Sequence, residues 1–73
     1  MFKKVSGNTY ESDNGYVVEF QTVEGSKAAL VGKKEDNGST RLLFIVSAEG
    51  ITRNKFLTHL EENFDQYLDK YAK

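Results

Sequence analysis

The chain has no cysteine, no proline and no tryptophan, and a single histidine among its 73 residues. Without cysteine there is no disulfide framework and no thiolate to serve as a metal ligand or nucleophile. One imidazole, His59, argues against the usual multi-ligand zinc site. The lack of proline leaves every strand and helix without a built-in break. No apolar run approaches the roughly 20 residues that a helix needs to cross a bilayer, and the first residues lack the apolar core of a signal peptide. Neither sign of charge prevails. Ten basic and eleven acidic residues leave a net charge of −1, so there is no bulk attraction to nucleic acid or anionic membrane. A single soluble, cytoplasmic domain is expected, with no membrane contact. At this length it buries only about 60% of its unfolded surface, so its core has little margin.

What is present is clearest in the last third. Phe56, Leu57, Leu60, Phe64, Tyr67, Leu68 and Tyr71 recur at steps of one, three and four. That spacing gathers them on one face of an α-helix over about 53–72, wide enough to cover a sheet. Thr52 suits the N-cap, and Ile51 before it is placed to pack near Phe56. The charges fit less well. Arg53 and Lys55 occupy the first turn, where the helix dipole prefers acids, and Glu61, Asp65 and Asp69 form a like-charge row.

Upstream the pattern is β. Strands are expected at about 2–11, 16–23, 27–35 and 40–47, with turns at Asp13-Asn14-Gly15, Glu24-Gly25 and Asn37-Gly38. The fold class is therefore α+β, a four-stranded antiparallel meander covered on one face by a long C-terminal helix. If the last two turns are two-residue loops, Val18, Phe20, Ala29, Val31, Leu42, Phe44 and Val46 share the face under the helix.

The opposite face then carries Leu30, Leu43 and Ile45 as an apolar centre, rimmed by Glu19, Gln21, Lys34 and Arg41. A half-exposed antiparallel sheet normally alternates apolar and polar side chains cleanly, and this one does not. The mixed face suggests a contact with a protein partner or a second copy. An N-terminal segment folded over it would account for the same pattern. The alternative is a single-stranded nucleic-acid binder using Lys33, Lys34, Arg41 and Tyr16, since such modules combine basic strands with stacking aromatics. No catalytic, metal or phosphate-cradling motif is present, and His59 is expected to be a solvated boundary residue. A non-enzymatic interaction module without cofactor or small-molecule substrate is the expected function.

Overall fold

A computed structural model of the chain describes residues 2–71. Its elements are β1 (Phe2–Ser6), β2 (Thr9–Ser12), β3 (Tyr16–Val23), β4 (Ser26–Lys34), β5 (Thr40–Ala48), α1 (Arg53–Glu62) and α2 (Phe64–Tyr71). The strands form one antiparallel sheet in the order β1-β2-β3-β4-β5. The α+β class and antiparallel meander agree with expectation, but the described residues form five strands rather than four and two helices rather than one.

The extra strand arises because 2–11 turns back on itself at Gly7-Asn8, so that Lys3 pairs with Glu11 and Lys4 with Tyr10. The N-terminal segment thus extends the sheet edge instead of folding over its outer face. Arg53 explains why a base occupies the first turn of α1. Its guanidinium donates to the Gly7 carbonyl at 2.9 Å and to Asn8 Oδ1, and lies over the Phe20 ring. These bonds tie the β1–β2 turn to the start of the helix.

Thr52 caps α1 as anticipated, its Oγ1 accepting from the Lys55 N–H at 3.3 Å. The helix is interrupted at Asn63, with φ −116° and ψ 15°. The Asn63 side-chain amide donates to the His59 carbonyl at 2.9 Å, and its own backbone N–H reaches the same carbonyl. A side chain intruding on the i−4 acceptor is a known cause of helix breaks. Ala72, the last residue of the expected helix, lies outside the described residues.

The core contains Val18, Phe20, Ala29, Val31 and Phe44 from the sheet, Tyr10 from β2, and Phe56 and Leu60 from α1. Leu57, Phe64, Tyr67 and Leu68 pack against it while partly buried. Phe2 joins from β1, its ring edge-on to Phe64 at 5.4 Å, and its N–H donates to Glu61 at 2.8 Å. One member of the acidic row is thereby used to anchor the first strand.

Register is where the turns matter most. Glu24 and Gly25 both have positive φ and close a two-residue hairpin with Val23 opposite Ser26. Val18 then faces Val31 and Phe20 faces Ala29, as expected. The β4–β5 turn differs. Gly38 donates to the Glu35 carbonyl and Glu35 to the Ser39 carbonyl, which makes a three-residue loop of Asp36, Asn37 and Gly38. Lys34 therefore faces Thr40 and Lys33 faces Arg41, one residue off the expected pairing. A bulge between Val31 and Gly32 inserts Leu43 and restores the register, so Val31 faces Phe44 and Ala29 faces Val46 after all. The two departures cancel beyond the bulge.

Between turn and bulge they do not cancel, and three assignments change. Leu42, expected in the core, pairs with Gly32 and is 54% exposed on the outer face. Leu43, expected outside, packs partly buried against the core. Arg41 pairs with Lys33 on the helix side of the sheet.

Candidate docking face

Alternation along each strand sends Thr9 and Glu11 of β2, Val17, Glu19 and Gln21 of β3, Leu30, Gly32 and Lys34 of β4, and Thr40 and Leu42 of β5 to the face away from the helices. A groove of about 320 Å³ opens there, with Val17, Leu30 and Leu42 as apolar walls. Gly32 is buried and forms its floor. A Cβ at that position would lie 2.8 Å from the Arg41 carbonyl oxygen and 2.8 Å from Thr40 Cγ2. Only a residue without a side chain lets β5 come this close, and the same absence hollows the face.

The rim is polar. Lys34 Nζ donates to Glu11 at 2.9 Å, and Gln21 donates to Glu19 at 2.9 Å. Among the described residues no cation pairs with Glu19, so the β3 side of the rim is net acidic. Ile45, 55% exposed, continues the apolar surface along β5.

Of the residues expected at a partner surface, Leu30, Ile45, Glu19, Gln21 and Lys34 do share this face. Leu43 and Arg41 leave it through the register change, and Arg41 Nε pairs with Glu35 at 3.3 Å instead. Leu42, Val17 and Gly32 were not anticipated as a groove. Gly32 opposite a run of three leucine and phenylalanine residues is the available signal, because glycine within a strand marks a bulge or a close approach.

The residues considered for nucleic acid are not on one surface. Tyr16, Lys33 and Arg41 lie on the helix side, Lys34 on the other. Tyr16 is already engaged, edge-on to Phe64 at 5.0 Å with Lys33 Nζ 4.5 Å from its ring centre.

His59 is exposed, and Nε2 lies 2.9 Å from the Tyr67 hydroxyl and Nδ1 3.3 Å from the Asn63 amide. It bridges the two helices across their break. Among the described residues no cluster of three or more His, Cys, Asp or Glu side chains is arranged to hold a metal ion, and no helix is long and apolar enough to cross a membrane. No protein-family model, curated protein or solved structure matches the chain.

Proposed function

We propose that this domain is a non-enzymatic interaction module that binds a protein partner through the outer face of its sheet. The observation that carries this is the glycine-floored groove between Val17, Leu30 and Leu42, an apolar hollow on the one sheet face that no helix covers. An apolar side chain of a partner would fill it, and the rim would orient the approach: Glu19 toward a base, the Lys34–Glu11 pair toward polar backbone. Burying such a hollow stabilises a complex through the area removed from water, at about 25 cal/mol per Å².

Single-stranded nucleic acid is the weaker alternative, because its cations and aromatic are divided between two faces and Tyr16 is engaged by Phe64 and Lys33.

Affinity capture from native lysate, with and without nuclease, tests both. Leu30→Lys and Glu19→Lys are expected to lose a protein that the parent and the helix-surface variant Gln66→Ala both retain, regardless of nuclease. A captured set identical for all four chains refutes the outer face as the docking surface. Loss on nuclease treatment would favour nucleic acid.

A further inference from the structure

The two edges of the sheet are built differently. β1 is five residues long, carries Lys3 and Lys4, and has an irregularity at Val5. Short length, lysines and irregular pairing are the means by which proteins protect an exposed strand from joining another. β5 is nine residues long, and from Leu42 to Ala48 it has no charged residue. Its bulge lies toward one end, and Phe44–Ala48 beyond it is regular.

The backbone groups that this edge presents follow from register. Val23 and Ser26 close a two-residue turn and form a hydrogen-bonded pair, and such pairs alternate with open ones along an antiparallel ladder. Counting along β4, Ala28 and Leu30 bond toward β3, while Lys27, Ala29 and Val31 bond toward β5. Their partners Ala48, Val46 and Phe44 are thereby satisfied. Ile45 and Ser47 fall between them, and their N–H and C=O groups point away from the sheet.

The apolar surface gathers at the same place. Among the described residues five large hydrophobic side chains are exposed, and two of them, Leu42 and Ile45, lie on β5. A third, Tyr71, is 48% exposed on α2 with its ring 5.7 Å from that of Phe44. Exposed backbone and exposed apolar side chains coincide along one edge.

We propose that β5 pairs antiparallel with β5 of a second copy of this chain, about a two-fold axis at Val46, to make one continuous sheet. The strand is complementary to itself in this register. Ile45 and Ser47 of the second copy exchange both backbone hydrogen bonds, and the two-fold repeats the exchange. On the helix side Phe44 stands opposite Ala48, and Val46 opposite Val46. On the outer side Ile45 stands opposite Ser47. Phe44 and Ile45 each meet a small residue, the two valines meet across the axis, and no charged residue lies within these pairs. The blunted β1 edge opposes head-to-tail growth, so the pairing closes at two copies instead of extending into a filament. This uses the sheet edge and is independent of what docks in the outer groove.

Ser47→Pro removes an outward N–H while leaving the bonds to β4, a position that an edge strand tolerates. By sedimentation over a wide concentration range, the parent is expected to pass from monomer to dimer. The Ser47→Pro chain should stay monomeric with an unchanged circular dichroism spectrum. Should that variant fail to fold, a cysteine reports the same geometry, since the chain has none of its own. Val46→Cys places two thiols across the axis and should cross-link far faster than Val5→Cys on the opposite edge. A parent that remains monomeric to millimolar concentration overturns the proposal, as does equal cross-linking of the two cysteine variants. A monomeric parent that still loses its captured partner on Glu19→Lys refutes the edge pairing and leaves the outer-face docking standing.

Discussion

Replacing Gly32 by alanine tests the architecture of the face directly. The added Cβ would sit 2.8 Å from the Arg41 carbonyl oxygen and 2.8 Å from Thr40 Cγ2. The threonine methyl can rotate away, but the carbonyl belongs to the backbone of the facing strand. Relief therefore requires β5 to move outward between its turn and its bulge. Inserting a methyl into such a close contact costs ~1–3 kcal/mol. Against this, alanine in a strand recovers roughly 0.5–1 kcal/mol of the conformational entropy that glycine loses on folding. The central values leave a net destabilisation of about 1 kcal/mol. Urea unfolding followed by far-ultraviolet circular dichroism would read it as a lower midpoint at constant slope. Gly7→Ala is the matched control, because a Cβ there meets nothing within 4 Å and φ is not positive. It should be neutral or slightly stabilising. If Gly32→Ala unfolds at the same urea concentration as the parent, β5 does not approach β4 as closely as described, and the groove loses its floor.

Leu60, wholly buried beneath the sheet, should lose ~2–5 kcal/mol on truncation to alanine, read in the same melts, whereas exposed Glu62 should tolerate alanine within ~0.5 kcal/mol. The register between turn and bulge is checked by two neighbouring charges. Leu42→Lys should cost at most ~1 kcal/mol, since its side chain is over half exposed. Leu43→Lys should destabilise clearly more, because it places an ammonium against the core. The reverse order of the two midpoints would restore the register without a bulge.

Periodicity made the helix cover and the central sheet legible. The apolar stripe from Phe56 to Tyr71 is helical, and Val18, Phe20, Ala29, Val31 and Phe44 are the sheet residues that it covers. Local competition obscured the rest. Asn63 has a good helical environment on either side, and nothing in the stripe reveals that its amide would take the His59 carbonyl. The Lys3-Lys4 stretch has no apolar alternation to distinguish one bent strand from a hairpin. Asn37-Gly38 favours a two-residue turn on its own, yet Gly38 in the left-handed region also suits the last position of a three-residue loop, with Asp36 drawn in. The groove depended on that choice. Leu42 or Leu43 faces outward according to a difference of one residue in the turn, and a one-residue slip reverses every side chain it reaches.

The longer loop and the bulge are best understood together. A three-residue loop alone would carry its shift through all of β5, turning Phe44 and Val46 outward and Ile45 into the core. The apolar demand of the helix face rules this out, because Phe44 stacks beneath Tyr67 at 5.9 Å and packs with Val31. One inserted residue reconciles the loop with that demand. It is accommodated opposite Gly32, where the missing side chain gives the displaced strand room. The hollow on the outer face is then the geometric remainder of fitting this loop to this core. It lies between a turn that offsets the strand and a bulge that restores it. What distinguishes the face is not its composition, which periodicity nearly predicted, but the place where one glycine lets two strand registers meet.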